Sequence, residues 1–189
     1  MIATEIKPLT LEQFLDLPET KPASEYVATG KIIQKPMPQG KHSLLQTKLI
    51  IFINSILLEQ SIAIAFSELR CTMGGRSIVP DVVVLEQQNI PKDENGEIAN
   101  KVTTAPDWAI EILSPDQSTT KVIQNIIHCL NSGTKVAWLI DPAEKIIMVY
   151  QPDCQVQVID LIDLELTVPE FAQSVKLTAG QIFNWLKPG

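Results

Sequence analysis

The chain reads as an α/β domain, a sheet flanked by helices, on three observations. Apolar side chains between His42 and Glu59 recur at helical spacing, with Leu45, Leu49, Phe52, Ile53, Ile56 and Leu57 forming one face. Four apolar runs of strand length follow: Ile62–Cys71, Val79–Leu85, Trp108–Leu113 and Val136–Ile140, each bounded by Gly, Pro or polar turns. Between the last two, Val122, Ile123, Ile126, Ile127 and Leu130 define a second amphipathic helix, so strand, helix and strand succeed one another as in a parallel crossover.

In chain order, Leu9–Leu17 predicts a short helix, with Thr10 as N-cap, Gln13 three residues later and Pro18 as its stop. Pro18–Ser24 is a polar connector. Tyr26–Ile33, broken by Gly30, predicts a hairpin or a bent strand, and Pro36–Gly40 a loop. The helix 42–59 follows. Val82-Val83-Val84-Leu85 has no polar alternation, which suits a central strand covered on both faces. Gln87–Thr104 is a polar excursion. The second helix ends at Gly133, and Ser114-Pro115-Asp116-Gln117 resembles its capping start. Ile146–Tyr150 and Val156–Ile162 add two strands, and Ala179–Leu186 a final helix. All of this fits one domain over residues 1–189.

Composition excludes several classes. With 45% hydrophobic and 20% charged residues the chain is not disordered. Its most apolar stretch, Leu49–Leu58, is about ten residues long, half of what a bilayer requires. No basic cluster followed by an apolar run marks a signal peptide. Three scattered cysteines, Cys71, Cys129 and Cys154, form neither a disulfide framework nor a CxxC knuckle, which favours a reducing cytoplasm. A net charge of −7, with only Arg70 and Arg76 as arginines, argues against a sequence-reading DNA binder. Lys31, Lys35, Lys41 and Lys48 nevertheless cluster early, so a locally basic face is expected to be available.

Two residues demand explanation. Asp81 and Glu111 are carboxylates embedded in apolar strands, Val79-Pro80-Asp81-Val82-Val83 and Trp108-Ala109-Ile110-Glu111-Ile112-Leu113. An unpaired buried carboxylate costs several kcal/mol or shifts its pKa. Two of them in neighbouring strands are useful with a cation between them, and hard ions such as Mg²⁺ take oxygen ligands. The competing reading is a solvated strand end, or a pair with Lys or Arg.

Several segments carry a resemblance. Ser24-Glu25-Tyr26 with Gly30, His42-Ser43, Glu68-Leu69-Arg70, Val79-Pro80-Asp81, Ile110-Glu111-Ile112-Leu113-Ser114-Pro115 and Trp138-Leu139-Ile140-Asp141-Pro142 run in one order over nearly the whole chain. They are similar to the putative restriction endonuclease family within the PD-(D/E)XK, restriction-endonuclease-like superfamily. The resemblance implies a mixed β-sheet flanked by helices, with Asp81 and Glu111 holding Mg²⁺ or Mn²⁺. Its activity would be metal-assisted hydrolysis of phosphodiester bonds, with DNA the expected substrate. Glu25 matches the family's early acid and would approach the same metal; a salt bridge with a nearby lysine is the alternative.

One position departs from the pattern. The superfamily's lysine belongs two residues after the second acid, where Leu113 stands. Lys121, on the following helix, is the candidate replacement. It shares a stripe with Asn125, His128 and Ser132, opposite the apolar face, whose default reading is solvent exposure. His42, with Gln46 one turn on, is a candidate to orient water or phosphate or to hydrogen-bond a metal-binding acid; capping the helix is its plain alternative. Arg70, two residues after Glu68 in an expected strand, would contact substrate phosphate or neutralise that glutamate. Duplex cleavage is simplest with two active sites, which suggests a homodimer. The competing functional reading is a catalytically degenerate nuclease fold that binds protein partners through acidic or strand-edge surfaces.

Overall fold

The computed structural model describes residues 8–28, 30–115 and 117–187. Helix α1 (Leu11–Leu15) opens with the expected capping box. The Gln13 N–H donates to Thr10 Oγ1 at 3.2 Å and the Thr10 N–H to Gln13 Oε1 at 2.9 Å, satisfying two donors that the helix leaves free. Strands β1 (Ser24–Ala28) and β2 (Lys31–Gln34) form the hairpin expected around Gly30, whose φ of +75° falls in the left-handed region that glycine adopts without cost. Helix α2 (Gly40–Leu57) buries His42, Leu45, Leu49, Ile53 and Leu57 on one stripe.

The expected strand Ile62–Cys71 is in fact two strands in two sheets. Strand β3 (Ala63–Ser67) ends where Glu68 takes a φ of +47°, and the chain turns into β4 (Cys71–Met73) and β5 (Arg76–Ile78). Three-residue strands are too short to display a period of two, so the sequence conceals them. Strands β6 (Val82–Glu86) and β7 (Trp108–Ile112) follow, then α3 (Thr119–Asn131), β8 (Val136–Asp141), β9 (Ile146–Tyr150), β10 (Val156–Ile159) and α4 (Ala179–Asn184). The start of α3 is also corrected. Ser118 is its N-cap, while Gln117 folds back to accept the Ser114 N–H at 3.1 Å; Asp116 lies outside the described residues.

The described residues form a six-stranded sheet in the order β10-β9-β8-β7-β6-β3 and a four-stranded sheet in the order β2-β1-β5-β4. In the larger sheet β7 and β8 run parallel, joined by α3, and the other pairs are antiparallel. Its two faces are both covered. Trp108, Ile110 and Ile112 pack with the α2 residues Leu45, Leu49 and Ile53, and with Ile182 and Phe183 of α4. Ala109, Leu113, Val83 and Leu85 pack with Val122, Ile126 and Cys129 of α3. Each large aliphatic chain buried this way contributes about 1.5–3 kcal/mol. The small sheet joins the α3 side, through Cys71, Met73 and Ile78. Among the described residues, no helix is long and apolar enough to cross a membrane.

Candidate active site

Register brings the two strand-borne acids together. Val82 lies opposite Ile110 in the antiparallel pair β6–β7, so Asp81 and Glu111 are the next neighbours across it. Both are buried. They share one cation, and it is an ammonium: Lys35 Nζ lies 2.7 Å from Asp81 Oδ1 and 3.3 Å from Glu111 Oε2. It also donates to the Val79 carbonyl at 2.7 Å, so all three of its N–H bonds have an acceptor.

Asp81 is braced from three more directions. Its Oδ2 accepts the Ile112 N–H at 2.8 Å and lies 3.0 Å from His42 Nε2, while Gln46 Nε2 donates to its carbonyl at 2.7 Å. His42 sits in the first turn of α2 and makes no cap; its buried Nδ1 has no partner among the described residues. Glu25 is buried beside this group with both oxygens engaged, Oε1 by the Val79 N–H and Oε2 by Asn125 Nδ2, each at 2.9 Å.

Burial and charge oppose each other here. Burial would raise the Asp81 pKa, but the Lys35 ammonium and the His42 hydrogen bond outweigh it and hold the carboxyl below the usual range. Glu111 goes the other way. Burial dominates, Lys35 opposes it, and the charges of Asp81 and Glu25 reinforce it, so its pKa lies well above the ordinary value. Burial would lower the Lys35 pKa, yet Glu111, Asp81 and Glu25 together raise it. Three buried acids thus face one fixed positive charge.

Among the described residues no three His, Cys, Asp or Glu side chains are grouped to hold a metal unaided. Mg²⁺ does not require that. It takes one or two carboxylates and keeps several waters. Asp81 Oδ1 and Glu111 Oε2, both turned to a shared cation, suit it. Glu25 has both oxygens occupied by the Val79 N–H and Asn125, so it is not turned to that cation as the other two acids are.

A groove of about 1040 Å³ opens from this cluster, between α3 and the β1–β2 hairpin. Glu25, Lys35 and Glu111 reach it from below. Lys121 lines it but is exposed and has no described contact with either acid; the ammonium beside the acids is that of Lys35. Apart from the exposed Lys121, the polar stripe of α3 meets protein, contrary to its solvent-facing default. Asn125 holds Glu25, and His128 Nε2 lies 2.9 Å from the Met73 carbonyl. Arg70 is elsewhere. It lies in the connector between β3 and β4, outside any strand, so it and Glu68 do not share a strand face. Its guanidinium grips Glu19 at 2.6 and 2.8 Å, Ser77 Oγ at 3.1 Å and the Ser24 carbonyl at 3.0 Å, tying the N-terminal segment to the small sheet.

Lys35 escaped the sequence reading as a site residue, although its signal was present. Glu25 pairs with Ile33 in the hairpin register, and Glu25, Val27, Lys31, Ile33 and Lys35 all line the groove. Alternation therefore carries Lys31-x-Ile33-x-Lys35 to one face, and that face looks at the acids.

A crystal structure described as a putative nuclease belonging to DUF820, from Anabaena variabilis, superposes with a TM-score of 0.93 at 56% identity, covering 95% of this chain and all of that one. No curated protein matches. The family model Uma2, described as putative restriction endonuclease, matches residues 11–179. Since that match takes in both strand-borne acids, the hairpin bearing Lys35 and the crossover helix, the chain belongs to the Uma2 family of putative restriction endonucleases.

Proposed function

We propose that the protein is a metal-dependent endonuclease that hydrolyses phosphodiester bonds in DNA. The observation that carries this reading is the convergence of Asp81, Glu111 and Lys35 below an open groove, in a chain of a nuclease family. Asp81 and Glu111 would hold Mg²⁺ or Mn²⁺. Such an ion supplies a water of lowered pKa and neutralises charge on the phosphate. The Lys35 ammonium stabilises negative charge that develops on the phosphate oxygens, in a buried setting where one such contact is worth about 3–4 kcal/mol. His42, Gln46 and the Ile112 N–H hold Asp81 in place, and Asn125 does the same for Glu25. A homodimer would present two such sites to the two strands of a duplex, and light scattering reads that state directly. The protein would act in the cytoplasm.

Calorimetric titration of Mn²⁺ into the parent and into Asp81→Ala, paired with plasmid cleavage, tests the reading. One binding event in the parent that disappears in the variant, together with Mn²⁺-dependent nicking, is the expected result. The same Lys35 contact carries a second reading, in which the internal ammonium has replaced the metal and the fold only binds its partner. A parent that takes up no Mn²⁺ and leaves the plasmid intact selects it.

A further inference from the structure

We propose that the groove between α3 and the β1–β2 hairpin holds a nucleic-acid sugar–phosphate backbone, gripped by Lys31, Arg76 and Lys121 without regard to base sequence. The proposal rests on the nuclease reading of the cluster at the groove's floor. At about 1040 Å³ the groove lies just above the roughly 300–1,000 Å³ typical of small-molecule pockets, and Lys31 and Lys121 on its rim are exposed while Arg76 is half-buried.

Its charge is the reverse of the chain's. The protein carries a net −7, yet Lys31 on the hairpin, Arg76 at the start of β5 and Lys121 on α3 stand round this one opening. Among the described residues none of the three has a carboxylate partner, whereas Arg70 and Lys176 are each paired. The carboxylates lining the groove, Glu25 and Glu111, are buried at its floor. A positive rim over a floor whose buried acids share the Lys35 ammonium attracts polyanions even on an acidic protein.

The rest of the lining decides between backbone and base. Among the described residues it contains no Phe, Tyr or Trp, and its one aromatic ring, His128, is taken up by the Met73 carbonyl and the Gly74 turn, so no free platform for stacking bases is offered. Amide and hydroxyl groups such as Gln117, Ser118 and Gln124 suit phosphate and sugar oxygens, which position a strand without reading it. Arg76 is delivered by a seated turn. His128 on α3 meets the Met73 carbonyl at 2.9 Å, and a Cβ on Gly74 would come within 2.8 Å of His128 Cε1, so the β4–β5 turn rests directly on the helix. The stripe of α3 thereby acquires a use, closing one end of the path with His128 and offering Lys121 at the other.

Fluorescence anisotropy in EDTA, which suspends cleavage, reads the groove separately from the chemistry. Two DNA duplexes of unrelated sequence and one RNA duplex are titrated against the parent, the triple variant Lys31→Ala/Arg76→Ala/Lys121→Ala, and Lys145→Ala, a lysine outside the groove in the β8–β9 turn. For each duplex the parent binds, the slope of log K against log salt should fall by about 0.9 per cation removed. Both DNA sequences should weaken in parallel, and Lys145→Ala should match the parent. The RNA arm shows which backbone the groove accepts. An unchanged slope in the triple variant, a loss confined to one DNA sequence, or a parent that binds no duplex would overturn the proposal. Binding of this kind without Mn²⁺-dependent cleavage would uphold the groove and reject the nuclease reading, so the two failures are distinguishable.

Discussion

Lys35 Nζ lies 2.7 Å from Asp81 Oδ1, although 46 positions of sequence separate the two residues. The contact joins the two sheets. Lys35 follows β2 in the small sheet, Asp81 precedes β6 in the large one, and Glu111 on β7 completes the triangle at 3.3 Å. The ammonium beside the two acids thus comes from the hairpin wall of the groove and not from the strand position that Leu113 occupies.

Glu111 is the acid least at ease in this triangle, so neutralising it should stabilise the metal-free protein. Its folded pKa is raised, chiefly by burial, above an ordinary 4.5. A group of that kind contributes stability in full below its unfolded value and loses it as pH rises through the folded one. In EDTA, Glu111→Gln should therefore melt higher than the parent at pH 7, with the advantage vanishing near pH 4. Saturating Mn²⁺ should raise the parent's Tm and leave that of Glu111→Gln unmoved. Differential scanning calorimetry reads both effects.

His128 gives the opposite slope. Burial lowers its pKa from 6.5, the Met73 carbonyl opposes this, and Arg76 adds to it. A depressed folded value means that the unfolded chain takes up the proton first. The stabilising contribution is then complete above the unfolded pKa and is lost as pH falls below it. Denaturant midpoints of the parent should drop between about pH 7 and pH 5 more steeply than those of His128→Gln. Parallel profiles would remove His128 from the account.

Gly74→Ala tests the seating of the β4–β5 turn. The residue has a φ of +55°, and an added Cβ would meet the His128 ring at 2.8 Å. Strain at a left-handed position costs about 1 kcal/mol or more. The variant should show a lower Tm and weaker duplex binding together, because Arg76 moves with the turn. Gly75→Ala has the same backbone strain, with φ +75°, but nothing within 4 Å of the added carbon. It should lose stability with a smaller loss of binding.

How far the sequence foretold this structure depended on the length of the signal. Helix α2 and strands β6 to β9 were legible because long apolar runs of one period outweigh local noise. The acids Asp81 and Glu111 were legible for the converse reason, since a carboxylate inside such a run has no packing purpose. The small sheet was obscured because β4 and β5 have only three residues each. Lys35 was passed over because lysine after a β-hairpin is ordinarily a solvated charge, and nothing local to it shows which acids await it in another sheet. Arg70 misled in the same way: its partners Glu19, Ser24 and Ser77 come from three segments. On the stripe of α3, Asn125 looked solvent-facing because the hairpin residue it holds, Glu25, lies a hundred residues upstream.

If Lys35 supplies the positive charge of a metal-dependent phosphodiesterase site, single-turnover cleavage of a labelled DNA duplex reads it most directly. Parent and Lys35→Met are compared at saturating protein in Mn²⁺ and in EDTA, with Lys121→Ala alongside and circular dichroism confirming that each variant folds. The parent should cut in Mn²⁺ and not in EDTA. Lys35→Met should lose about two to three orders of magnitude in rate, while Lys121→Ala should weaken binding and cut at nearly the parental rate once bound. Cleavage by the parent in EDTA, or a Lys35→Met rate equal to the parent's, would contradict the account.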